Sequence, residues 1–431
     1  MRLRRWPWKS FFASAGFLAV LTPSAGAQPL TIPRFAFSFS NPGARSVGFG
    51  GAFAALADDA TAAYANPAGL VQLAEPEVSV EARLWNRSPS FIAGGRLDGE
   101  PTGIGLDTRE PGFVFDRDRS QEFGPSFASV VIPKGHWSFA IYGHQLATFE
   151  ESAESQGFFF DEDDPDFPLG PSRSPGFLET VDLEVVTAGI AAGWRMNERL
   201  SFGLGIVFSD VSLKTISAAY FPDGFSEENL FGEIHFLPER RFSTGTTSIE
   251  GTDVTVNAGV LARLTEQIST GFFFRQGAEV EGTSESELGP GIPVEESFHN
   301  DAVFKVPNVA GGGLAWRSKG GHVTLAGEVD RVKYSGLIRL LSSEDVEVEN
   351  REYSNAWEYH LGAEYALLRR SPIIAFRAGG WIEANGDDLR NEKFTHLAAG
   401  LGIAAKTYQI DLAGDFSDEG NTASVSFIYT F

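Results

Sequence analysis

Asn421–Phe431 reads NTASVSFIYTF. Successive side chains of a strand point to opposite sides, so Ala423, Val425, Phe427, Tyr429 and Phe431 share one face. Thr422, Ser424, Ser426, Ile428 and Thr430 share the other. The first face is apolar and aromatic; the second is mostly small and polar. A strand with hydrocarbon on one side and a lumen on the other reads this way. Taken singly, a half-buried strand of a soluble protein carries the same pattern. The alternation recurs upstream, however. Leu200, Phe202, Leu204, Ile206 and Phe208 share a face opposite Ser201, Gly203, Gly205 and Ser209. Trp357, Tyr359, Leu361, Ala363, Tyr365 and Leu367 oppose Glu358, His360, Gly362 and Glu364.

Fourteen segments fit this period. They begin near Glu75, Glu122, His136, Glu179, Arg199, Thr247, Gln267, His299, Gly321, Glu352, Ser371, Glu392, Thr407 and Asn421. Short turns are expected at Pro133–Gly135, Asn197–Glu198, Thr265–Glu266, Ser318–Gly320, Arg369–Arg370 and Lys406. Between them fall long acidic loops near 97–120, 151–176, 218–243, 282–297 and 341–350. Alternating short turns and long loops are the pattern of a transmembrane barrel, and an even strand number puts both chain ends on the periplasmic side. The fold class expected is therefore all-β, a 14-stranded antiparallel transmembrane β-barrel.

The chain has 431 residues, no cysteine, 37 Phe, 8 Trp and 9 Tyr. So many aromatics suit a barrel that shows one side of every strand to lipid. Arg2, Arg4, Arg5 and Lys9 precede the short apolar run Phe11–Leu21, and Ala25-Gly26-Ala27 follows as a cleavage site. That reads as a signal peptide over residues 1–27, removed on export. Losing its four positive charges takes the formal charge from −23 to about −27. Such acidity excludes nucleic acid as a partner. No G-x-S-x-G or H-E-x-x-H motif is present, and the seven histidines are scattered. No enzyme activity, cofactor or metal is expected. The run Asp161–Asp166 suits a solvated loop or a calcium contact.

Residues 28–73 precede the first strand, and the barrel is assigned to 74–431. Within the former, Gly43–Leu70 is GARSVGFGGAFAALADDATAAYANPAGL. Small residues there suit close packing inside a barrel. Gly48, Gly50 and Gly51 allow conformations and approaches that a Cβ would block. Asp58 and Asp59 follow, and Asp59 is placed to cap a short helix over 60–65. Pro67 disfavours helix at Asn66 and ends it. A nucleotide loop at Gly48-x-Gly50 is excluded because no strand precedes it.

Three blocks carry a resemblance. They are Arg45–Phe53, Ala57–Ala62 and Asn66-Pro67-Ala68-Gly69-Leu70. Together they resemble the N-terminal hatch of the FadL-type family, outer-membrane transporters for long-chain fatty acids and aromatic hydrocarbons. The sharp motif covers about thirty residues; the architecture covers most of the chain. The resemblance implies a plug formed by the N-terminal segment and passive uptake of a hydrophobic molecule. It also implies sideways release through a gap made by a kink in the third strand. In this sequence Gly143-His144 is the candidate kink; a plain glycine in a regular strand is the alternative. Phe35, Phe37 and Phe39 would lie near the ligand, or form a tail without that role. Outer-membrane lipid, lipopolysaccharide and, through the C-terminal strand, the barrel-assembly machinery are the further partners implied.

If aromatic faces meet lipid, then Glu328, Asp330, Glu358, His360, Glu364 and Arg377 face the lumen. Buried charges need partners or water. They either hold the plug, with Arg45 as basic partner, or line a water-filled lumen. The second arrangement would suit a polar-solute porin. A third reading is a barrel partner or shuttle in protein secretion or surface assembly.

Overall fold

The first and last strands of the wall are paired: Val80 lies opposite Phe427 and Leu84 opposite Ala423, in an unbroken antiparallel register. That pairing closes the sheet on itself and leaves no free edge, as a lipid-embedded sheet requires. The computed structural model describes residues 41–108, 111–161, 171–223, 230–289, 297–341, 354–384 and 393–431. The signal segment 1–27, Phe35, Phe37, Phe39 and residues 162–166 of the acidic run lie outside the described residues.

The strands are β1 (Glu77–Arg87), β2 (Ser120–Lys134), β3 (Trp137–Ser155), β4 (Gly176–Arg195), β5 (Leu200–Tyr220) and β6 (Arg241–Arg263). Three follow in two pieces each. These are β7 (Ile268–Arg275 and Glu279–Leu288), β8 (Ser297–Lys305 and Asn308–Arg317) and β9 (Val323–Lys333 and Ile338–Leu341). Then come β10 (Ala356–Ala366), β11 (Ile373–Ala384), β12 (Lys393–Ala404), β13 (Tyr408–Ser417) and β14 (Gly420–Thr430). Seventeen segments form one sheet; with three strands interrupted once each, the wall is a closed 14-stranded antiparallel barrel. Among the described residues no helix is long and apolar enough to cross a membrane.

Most strands begin within about two residues of the positions expected from the alternation. β6 differs, starting at Arg241 rather than Thr247. The polar run Thr244–Ser248 has loop composition but is paired on both sides, Thr244 facing Ala218 on β5 and Glu287 on β7. Ladder bonds from two neighbours override weak local preference. For the same reason the loop expected over 282–297 is strand up to Leu288. The first long loop holds a small hairpin, Ser90–Gly95 with Phe113–Arg117.

Side chains sort as the period requires. Leu204, Phe208, Leu361, Leu397, Phe427 and Phe431 are exposed, whereas Ser201, Ser209, His360, Ser424 and Ser426 are buried. A continuous outward band of large apolar groups is what lipid solvates and water does not.

Two irregularities bear on the site. The pieces of β7, β8 and β9 break at neighbouring places, 276–278, 306–307 and 334–337. Pro307 has no N–H to offer a ladder. On the other side of the barrel, β2 pairs with β3 only from Lys134–Trp137 up to Phe127–His144. Above that point β2 continues against β1 and β3 against β4, but not against each other.

Candidate functional site

Residues Asn41–Leu73 form an inner segment that is almost wholly buried. It contains α1 (Ala44–Gly48), α2 (Ala62–Ala65) and a 3-10 helix, Pro67–Gln72. Both α-helices are too short to persist alone, so tertiary contacts hold them. Gly50 and Gly51 have φ of 62° and 83°, and a Cβ on Gly50 would stand 2.5 Å from the Gly380 nitrogen.

The helix expected over 60–65 is shorter, with Thr61 as its N-cap residue. Asp59 lies outside it, and its Oδ1 accepts from the Thr61 N–H and hydroxyl at 3.0 and 2.5 Å. An aspartate satisfied two residues on forms a turn and so displaces the helix start. Asn66 joins the two helices. Its Oδ1 accepts from Ala68 N at 3.2 Å, and its Nδ2 donates to the carbonyls of Ala54 and Val260 at 2.9 and 3.2 Å. Pro67 occupies the first position of the 3-10 helix, where a missing N–H costs nothing. Gly69 passes so near Ala57 that a Cβ would meet its carbonyl oxygen at 2.2 Å.

The inner segment contacts the wall almost all the way round. Glu81 on β1 accepts from Gly43 N at 2.9 Å. Ser129 on β2, Ser201 on β5 and Ser269 on β7 donate to the carbonyls of Ala60, Ala68 and Ala55. Asn257 on β6 donates to Tyr64 O at 2.8 Å, and Arg195 on β4 to Val71 O. Glu328 on β9 accepts from Phe53 N and Ala54 N at 2.8 and 2.6 Å. His360 on β10 donates through Nδ1 to Gly50 O at 2.8 Å. Where the inner segment comes closest the wall supplies glycine, against backbone at Gly203 and Gly379 and against the Asn66 side chain at Gly259. A Cβ would fall 2.2 Å from Ala68 N at Gly203, 2.0 Å from Asn66 Oδ1 at Gly259, and 2.4 Å from Gly50 N at Gly379.

The six lumen charges divide into two groups. Glu328, Asp330, Glu358 and His360 lie together on β9 and β10, Asp330 facing Glu358 and Glu328 facing His360. Glu364 and Arg377 belong to the other. Arg377 donates to Glu364 at 2.8 Å and to Asp411 at 2.6 Å. Arg45 stands beside this group, its Nε 3.6 Å from Glu364 and its Nη1 2.5 Å from Asp58. Asp58 also meets Arg317 on β8 at 2.9 Å. Burial pushes the Asp58 carboxyl up, but Arg45 and Arg317 outweigh it and hold it well below the usual carboxylate range. Its neighbour Asp59 goes the other way, raised by burial and by the adjacent Asp58 charge. The paired aspartates thus have different roles: Asp58 is the ionic link to the wall, Asp59 the turn former.

Gly143 and His144 sit in regular register, opposite Ala188 and Thr187. The irregularity in β3 is at Leu146, between Gln145 and Ala147. His144 is instead the last β3 residue paired with β2. A matching register shift in β2 leaves out Ser126, after Pro125. Bulges bend a strand, and two on facing strands part them. The resulting break in the ladder, a window in backbone pairing, runs between 120–126 and 145–151. It is bounded above by Asp118, whose Oδ2 accepts from Ser152 N at 2.7 Å. Beside it lies a small cavity lined by Tyr64, Tyr142, Leu146, Asn257, Val306 and Pro307, among others. The cavity therefore joins the inner segment, the β3 bulge and the breaks in β7 and β8.

Strand alternation alone does not mark several of these residues. Asp411, Glu81, Asn257 and Arg275, whose Nη2 donates to Asn41 Oδ1 at 3.2 Å, are buried, yet nothing local distinguishes them from solvated polar residues. Inward-facing glycines in strands were a usable sign of close backbone approach.

These features define a lipid-embedded β-barrel with a buried N-terminal segment docked to its inward-facing residues. The model of the outer membrane protein transport protein family (OMPP1/FadL/TodX) matches residues 21–383, and the chain belongs to that family. It resembles three solved structures at this fold level. The CymD monoaromatic hydrocarbon channel is 16% identical with a TM-score of 0.59, over 92% of this chain and 99% of that one. The Ralstonia pickettii toluene transporter TbuX is 14% identical with a TM-score of 0.58, over 91% and 99%. The P. putida toluene transporter TodX has the same values. None of the curated proteins matches the chain.

Proposed function

We propose that this protein is a passive outer-membrane channel for small hydrophobic molecules, with monoaromatic hydrocarbons as the first class to test. The carrying observation is the window between β2 and β3 beside the cavity under Tyr64. A ligand entering from the loops binds there once the cavity, about 30 Å³ in this structure, widens to admit an aromatic ring. The inner segment acts as a plug across the straight path, and the ligand leaves sideways past Leu146 into the lipid. An apolar solute gains by going into hydrocarbon rather than into periplasmic water, so lateral exit needs no energy source. Membership of a transport family and the hydrocarbon channels of the same fold support the reading. Glu328 and His360 are engaged by the inner segment, and Glu364 by Arg45 and Arg377, which disfavours a porin. Long-chain fatty acids are the second substrate class. The last strand, β14, would serve recognition by the assembly machinery, and the acidic outer loops would meet lipopolysaccharide.

The test is uptake of labelled toluene and labelled oleate by cells with and without the gene. Faster entry of either in the expressing cells is expected. Equal rates for both would overturn the proposal.

A further inference from the structure

Asp330 and Glu358 face each other across β9 and β10, both buried. Two carboxylates in that relation repel one another, and burial removes the water that would relieve them. His360 shares their face. Its Nε2 stands 3.8 Å from Asp330 Oδ2 and 3.6 Å from Glu358 Oε2. Neither is a hydrogen bond, and His360 Nε2 is a buried atom without a hydrogen-bond partner, while Asp330 turns its Oδ2 toward it and its Oδ1 toward Gly311. One nitrogen and two oxygens therefore converge on a common point, all within 4.8 Å of each other.

We propose that Asp330, Glu358 and His360 bind one divalent transition-metal ion of the Zn²⁺ type, clamping the inner segment to the wall. A tetrahedral ion with bonds of about 2.0–2.2 Å puts its ligand atoms about 3.3–3.6 Å apart, so small side-chain shifts complete the site. The outer contacts suit a metal ligand. The Nδ1–H of His360 donates to the Gly50 carbonyl at 2.8 Å, which fixes the tautomer and leaves the Nε2 lone pair facing the carboxylates. Trp381 stacks on the imidazole at 5.3 Å and 13°, holding its plane. One imidazole with two carboxylates favours zinc-like ions over calcium or magnesium, which take oxygen sets. A proton on Nε2 would supply one donor for two carboxylates; a divalent ion offsets both. Because Gly50 belongs to the inner segment, occupancy reinforces its hold on the wall.

Untagged full-length protein folded into detergent with ZnCl₂, then desalted, tests this by metal analysis. About one Zn²⁺ per chain is expected in the wild type and in His396→Gln, whose imidazole pairs with Glu383 and Asp415 instead. Asp330→Asn and His360→Ala should lose at least tenfold. A wild type without stoichiometric zinc, or Asp330→Asn holding as much as the wild type, would overturn the site. If the variants do not fold, X-ray absorption of the zinc-loaded wild type decides. One imidazole with oxygen donors at about 2.0–2.2 Å is expected, and a shell lacking imidazole refutes the assignment.

Discussion

The Glu328 carboxylate accepts the backbone N–H groups of Phe53 and Ala54 at 2.8 and 2.6 Å, joining residues 275 and 274 positions apart in the chain. Both donors are buried at a place where the inner segment has no regular structure of its own. Replacing Glu328 by alanine leaves two unpaired buried N–H groups and should cost about 2–4 kcal/mol. Glu328→Gln keeps an acceptor and should cost less. Denaturant unfolding of the detergent-solubilised protein, followed by gel mobility, measures the difference; equal loss in both variants would contradict this role.

Gly259 lies against the Asn66 side chain, and Gly203 lies against the backbone of Pro67 and Ala68. Valine at either position forces its Cβ into Asn66 or Ala68, which should displace the inner segment at about 1–3 kcal/mol while the barrel closes normally. If that segment is the plug, conductance in planar bilayers should rise. Unchanged conductance with an intact barrel would speak against a plug.

The β2–β3 window can be closed chemically, since the chain has no cysteine of its own. Gly124 and Gln145 face each other across it, a Cβ on Gly124 standing 3.7 Å from Gln145 Oε1. With cysteines at both positions, a short bismaleimide should abolish hydrocarbon uptake, and each single cysteine treated alike should keep it. Full uptake by the cross-linked double variant would rule out this exit.

Acid should loosen the first outer loop. Arg96 donates to both oxygens of Asp107 at 3.0 Å, and Thr102 adds two bonds. Burial pushes the Asp107 carboxyl up, but these contacts outweigh it and hold it below the usual range. A depressed folded value gives stability that is present above the unfolded carboxylate value of about 4 and lost as pH falls through the folded one. Hydrogen exchange over residues 96–107 should be flat between about pH 8 and pH 5, after correction for intrinsic rate, and accelerate below about pH 4. Asp107→Asn should show the faster exchange at every pH.

The strands were legible in the sequence because lipid is a uniform solvent. Every outward position faces the same hydrocarbon, so Leu204, Leu361 and Phe427 obey one local rule that needs no knowledge of neighbours. The strand count and the lumen face of Glu328, Asp330, Glu358, His360, Glu364 and Arg377 followed from that period. The small residues of 43–70 likewise announced close packing.

What surrounds those residues is set by pairing between distant segments. Pairing drew Thr244–Ser248 into β6, and the pairing of β2 with β3 ends after Phe127 and His144, beside the register shift at Leu146 rather than at Gly143. A strand's alternation records which face a residue occupies but not what comes to meet it. Only the closed barrel brought Gly50 to His360, Arg45 to Glu364 and Asp330 to Glu358, because those contacts depend on how a buried segment seats against many strands at once.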